Sequence, residues 1–215
     1  MLRHIVTHEI FTILLVIGLT IVAIAKLVSP KRFDDFILVL GNDKYLKIYS
    51  RDKKFLDKFD ALLFINLIIS VSVFCFIIYK QVTEANNISS NTMFKITFSI
   101  SVFILTKVLV ERLIGSLFEI DKMIDQYIFQ KISFKNYLGL LLLPINALLL
   151  YSFPPNLSII YGIISLILVL NIIGLVSSFK THQSLLKNNL FYFILYLCAL
   201  EIAPYIILYK VFISK

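Results

Sequence analysis

KVLVERLIGSLFEIDKMIDQ, residues 107–126, decides the fold. It continues an apolar run suited to a bilayer, yet it carries Lys107, Glu111, Arg112 and Glu119. At about 100° per residue, Lys107, Glu111, Gly115, Glu119, Lys122, Asp125 and Gln126 share one arc of a helix, with Arg112 at its edge. Leu109, Val110, Leu113, Ile114, Leu117, Ile120, Ile124 and Ile128 fill the opposite arc. Val108 is the apolar intruder on the polar side, and Asp121 breaks the apolar one. A helix divided this way turns its charges toward other helices and its aliphatics toward lipid. Lys107 and Glu111 form an i,i+4 pair that compensates locally, and Gly115 lets a second helix approach. A charge at mid-membrane costs about 2.5–3.5 kcal/mol. Lys107, Glu111 and Arg112 therefore require partners, whereas Glu119 already reaches the interface.

The rest of the chain has the same character. Of 215 residues, 59% are hydrophobic and 16% charged, against about a quarter charged in ordinary globular domains, and the mean hydropathy is +0.90. A spanning helix needs about 20 mostly apolar residues. Runs over 10–27, 61–79, 96–115, 137–153, 157–176 and 190–209 qualify. The expectation is one all-α integral membrane domain over 1–215, a bundle of about six transmembrane helices. The fourth run is short and contains Pro144, and SFPPN (152–156) joins it to the fifth as a hairpin.

Lysine and arginine mark the sides. Odd-numbered loops hold 14 of them and the opposite side five, Lys107 and Arg112 set aside. By the positive-inside rule the odd loops are cytoplasmic and both termini periplasmic. The run FTILLVIGLTIVAIAKLV (11–28) is expected to be a retained span, because no small-x-small cleavage pattern follows it. The formal charge is +8, and nine of the 21 basic residues lie in or beside the first loop, a density that fits anionic headgroups better than nucleic acid.

That loop, 29–60, reads as an amphipathic collar. Ser29 is a candidate N-cap, Pro30 stands at the first helical position and Gly41 is a stop. Phe33, Phe36, Ile37 and Leu40 form one apolar face. The collar residues expected to meet lipid headgroups or a partner protein are Lys31, Arg32, Lys44, Lys47, Arg51, Lys53, Lys54 and Lys58.

A second intramembrane acid, Glu201, sits in LCALEIAPYIILYK (197–210). Pro204 leaves the Leu200 carbonyl without its helical donor. The third and sixth helices are expected to pack together, with Lys107 or Arg112 compensating Glu201. Asn66, Asn146 and Asn171 are further mid-span polar groups that could join this network. The bland reading is that all of these groups hold helices in register.

Motifs for soluble chemistry are weak. His4 and His8, at i,i+4 with Glu9 adjacent, could hold a metal on one helix face, but no third ligand is evident because His182 is expected on the opposite side of the membrane, so no metal and no cofactor is expected. Cys75 and Cys198 read as small apolar packing residues. Nucleophile elbow, His-Glu-x-x-His and P-loop are all missing from the sequence, and catalytic residues stay unassigned.

Three stretches, GNDKYLKIYSRDKKFLDKFDALLFINLIIS, VERLIGSLFEIDKMIDQYIFQKISFKNYLGLLLLPIN and LCALEIAPYIILYK, resemble a Bacteroidota family of multi-spanning inner-membrane proteins known as a domain of unknown function. The resemblance covers the chain in order. It implies the inner membrane of a Gram-negative cell and supplies no activity, cofactor or residue role. The functional expectation is a non-enzymatic accessory or scaffold protein of an envelope-biogenesis or secretion assembly, in contact with lipids and other membrane proteins. A small transporter or proton-coupled channel subunit using Glu201, Lys107 and Glu111 is one alternative. A lipid-processing enzyme is the other, with Glu111, Arg112 and Glu201 around a headgroup cavity.

Overall fold

The structure is a computed structural model, describing residues 9–41, 44–50, 57–83, 90–117, 121–152 and 156–181. Among these residues every element is helical: α1 Glu9–Val28, α2 Pro30–Ile37, α3 Lys44–Tyr49, α4 Lys58–Thr83, α5 Ser90–Leu117, α6 Asp121–Tyr151 and α7 Leu157–Thr181. Among the described residues four stretches are long and apolar enough to cross a membrane, Ile10–Val28, Lys58–Thr83, Ile124–Tyr151 and Leu157–Gly174. The chain is an all-α membrane protein. The expected third span is one continuous helix, α5, which carries Lys95, Lys107, Glu111 and Arg112 along its length. The sixth expected span, 190–209, lies outside the described residues.

The bundle is built on α4 and α6, which make its most extensive helix contact, and α1, α5 and α7 pack around them. The two central helices are about half buried across their apolar windows, whereas α1 and α7 are mostly exposed. This is the distribution expected when the perimeter meets acyl chains. Two asparagines fix the central register. Asn136 Nδ2 donates to the Asp60 carbonyl at 3.4 Å, and Asn146 Nδ2 to the Ser70 carbonyl at 2.8 Å. Both pairs are 76 residues apart in sequence, so α4 and α6 run parallel and in step. Gly139 lies where any Cβ would come within 2.6 Å of the Leu67 Cα. Its missing side chain lets the two backbones meet, the usual role of small residues between membrane helices. Asn146 is thus a register group, and Asn66 is buried against α1 at Gly18.

The structure corrects the sequence reading at 107–126. No single helix carries that polar face: α5 ends at Leu117, and α6 starts at Asp121 and runs back along it. Gly115 permits the close return, since a Cβ there would lie 2.8 Å from the Ile124 Cβ. The α5 half of the expected division holds. Lys107, Val108 and Glu111 are buried, while Leu109, Leu113 and Leu117 are exposed. The α6 half reverses, because Ile124 and Ile128, expected at lipid, are buried. The expected third loop is also largely helix, for α6 runs 31 residues through Pro144.

Candidate functional site

Two charged regions stand near one end of the bundle. The first is a cap made by α2 and α3. Ser29 precedes α2, and Pro30 occupies its first turn without loss, since that N–H has no helical acceptor. The helix stops at Ile37, before Gly41. Phe33 and Phe36 face inward and, with Tyr45, Leu46, Phe59, Leu63 and Phe134, form a packed core. The rings of Tyr45, Phe59 and Tyr137 each meet Phe36 edge-on. Ile37 and Leu40, the other half of the expected apolar face, stay exposed.

Arg32 requires a correction. Expected among the headgroup-level collar residues, it is buried at 8% exposure. Its guanidinium donates to Asp57 Oδ2 at 2.8 Å and to Asp60 Oδ2 at 2.6 Å. It also lies over the Tyr49 and Phe59 rings, at 4.8 and 4.9 Å. Planar, delocalised and weakly hydrated, guanidinium tolerates such a site where an ammonium would not. Burial alone would lower the Arg32 pKa, but Tyr45, Asp60 and Asp57 outweigh it and the net direction is upward. Tyr45 donates its hydroxyl to Asp60 Oδ1 at 3.2 Å, and burial, reinforced by Asp60, pushes its phenol above the ordinary range. Arg32, Asp60 and Tyr45 thus answer one another within the cap, while the Arg32 Nε is buried with no hydrogen-bond partner.

Other collar lysines face outward. Lys31, Lys47 and Lys58 are exposed, and Lys44 bonds Asp35 at 3.0 Å with its side chain still 58% exposed. Arg51, Lys53 and Lys54 lie outside the described residues.

The second region is the seam between α5 and α6. Glu111 is fully buried, and its Oε1 accepts a hydrogen bond from Lys131 Nζ at 2.5 Å. Its Oε2 is buried with no hydrogen-bond partner. The sequence placed Lys107 in that role one turn away; the hairpin supplies Lys131 instead. Arg112 reaches Asp125 at 3.7 Å across the hairpin, both half-exposed. Glu119, Glu201 and Pro204 lie outside the described residues, and so do His4, His8 and His182. Among the described residues no group of three His, Cys, Asp or Glu side chains could hold a metal.

Beside the seam, an apolar cleft of about 360 Å³ opens between α4, α5, α6 and α7. Lys107, Lys135 and Asn171 are its polar lining, and Cys75 is among its apolar lining. Glu111 and Arg112 do not line it. Sequence reasoning missed Asp57, Asp60, Tyr45, Lys131 and Lys135. Lys131 and Lys135 stand four apart in FQKISFKNY, among Phe129, Ile132 and Phe134, a helical spacing that was available as a signal.

No curated protein and no solved structure matches the chain. A model of the domain of unknown function DUF4271 matches residues 11–212, nearly the whole length, and this chain belongs to that family.

Proposed function

We propose that the protein is a non-enzymatic scaffold of a cell-envelope assembly, holding a partner on its basic cap. The observation that carries this is the folded state of α2 and α3. Arg32, clamped between Asp57 and Asp60, fixes them on the bundle end, and Lys31, Lys47 and Lys58 are left on the outer surface. A surface ordered in advance binds without the ordering entropy of a flexible loop. The bias of Lys and Arg supports a cytoplasmic cap with both termini periplasmic. The resemblance to Bacteroidota proteins supports the inner membrane of a Gram-negative cell. Against the transporter and lipid-enzyme readings stands Glu111, which is held by Lys131 away from the cleft.

Copurification in mild detergent tests the proposal. Wild type retains a stoichiometric companion, and the variant Lys31→Glu/Lys47→Glu/Lys58→Glu loses it while keeping the wild-type melting profile. A wild-type protein that purifies alone contradicts the scaffold role.

A further inference from the structure

The cleft beside the seam is the seat of the chain's own last apolar run, 190–209, we infer, which lies in its mouth between α5 and α7 with side chains reaching α4. The shape of the gap points there first. α7 packs on α6, and neither α4 nor α5 makes a comparable contact with it, so α5 and α7 stand as separate walls. The floor between them is one face of α4, since Leu67, Val71, Phe74, Cys75 and Ile78 follow helical spacing. At about 360 Å³ the cleft takes a row of side chains. A helix laid in its mouth touches both walls and the floor, and van der Waals packing of this kind drives the association of membrane helices.

The point where the chain leaves the bundle gives the same answer. Gly174 of α7 lies against Phe134, which belongs to the cap core, so α7 ends on the cap's side at Thr181. Eight residues, 182–189, then precede the run, and short connections join antiparallel neighbours. The run therefore starts beside α7 at the cap's end and crosses in the direction of α4 and α6. Its composition fits as well. Glu201 stands in mid-run, and an ionised group facing acyl chains is costly. In the cleft it can turn inward, to a lining that holds Lys107, Lys135 and Asn171 among its apolar groups. The sequence set this run against α5; the cleft adds α4 as a floor and α7 as a second wall. Filled in this way, it is a packing seat with no room for a small-molecule ligand.

Tryptophan fluorescence in bilayers tests the inference, because the chain has no tryptophan of its own. Leu166, Leu168 and Val169 are exposed on α7 within one turn, so they share a depth, and of the three only Leu168 lines the cleft. Each is replaced by tryptophan in the full chain, in vesicles of phosphatidylcholine with brominated acyl chains, which quench by contact. Leu168→Trp is expected to be quenched several-fold less than Leu166→Trp and Val169→Trp. Equal quenching of all three means that lipid fills the cleft and overturns the inference. Shielding of Leu166→Trp with Leu168→Trp quenched overturns it as well, because the run then lies on the opposite flank of α7. Shielding of Leu168→Trp that fades as the chain is diluted in lipid assigns the cleft to a second copy, which is also contrary. Should Leu168→Trp fail to fold, oxidative cross-linking to Cys75, which lines the cleft, replaces it. In Cys198→Ser chains a cysteine is placed in turn at Ala203, Pro204, Tyr205 and Ile206, at the depth of Cys75 counted from Leu190 and Ala61, where the two apolar runs begin. Those four positions cover a full helical turn, so at least one should join Cys75. A scan in which none does overturns the placement.

Discussion

The cap and the seam both bury charge, and they differ in how that charge is answered. In the cap one guanidinium faces two carboxylates, a tyrosine hydroxyl donates to one of them, and aromatic rings close the rest. At the seam Lys131 bonds one oxygen of Glu111, and the other carboxylate oxygen is buried with no hydrogen-bond partner. Buried charge is costly unless paired and fully hydrogen-bonded. The cap pairs its guanidinium with two carboxylates and encloses it in rings, with the Arg32 Nε left buried and without a hydrogen-bond partner, and it behaves as structure. The seam holds its buried carboxylate through a single lysine, so its stability depends on that one pair.

The sharpest way to break this contrast is to take away the cap's cation. Arg32→Met strands Asp60 in an apolar core and is expected to cost about 3–5 kcal/mol. Chemical unfolding in detergent micelles measures it, and a loss below about 1 kcal/mol would make the cap cluster no more than a surface pair. Lys131→Met tests the other region. It leaves Glu111 buried and is expected to cost about 3 kcal/mol, and Glu111→Gln/Lys131→Met should recover most of that loss in a double-mutant cycle. No coupling between the two positions would show that the seam does not depend on its ion pair.

Smaller effects test the frame that carries both regions. Gly139→Ala drives a methyl into the Leu67 backbone and is expected to cost about 2 kcal/mol through overpacking. Asn146→Leu loses one interhelical hydrogen bond and is expected to cost about 0.6 kcal/mol, read as a slight drop in melting temperature. A Gly139→Ala protein as stable as wild type would contradict the close α4–α6 approach.

How much of this was legible follows from the physics of each part. Long apolar runs identified α1, α4 and α7, because about 20 apolar residues in a row have few other uses. The start of α2 was legible too, through Pro30, whereas Ser29 stands at the N-cap position without a side-chain capping hydrogen bond. The α5–α6 corner was not. Both helices bury one face, so the helical period carries on across the corner as though nothing intervened, and Gly115 reads as a contact point where it also permits a return. Arg32 was misjudged for another reason. Its partners lie 25 and 28 residues downstream, and a basic residue in a lysine-rich loop looks solvated until they are brought to it. Lys131 and Lys135 were taken as loop charges that set topology. Their helical spacing shows their shared face only once α6 is known to begin at Asp121.

The central claim is that α2 and α3 fold as a fixed cap; a loose collar lying in the headgroups is the alternative. Hydrogen–deuterium exchange of the full chain in lipid nanodiscs measures this directly. Amides of α2 and α3 that lie within helical bonding should exchange as slowly as those at the start of α4, and Arg32→Met should release α2 and α3 together while leaving α7 protected. Rapid exchange across 30–49 in the wild type, unchanged by Arg32→Met, would contradict the account.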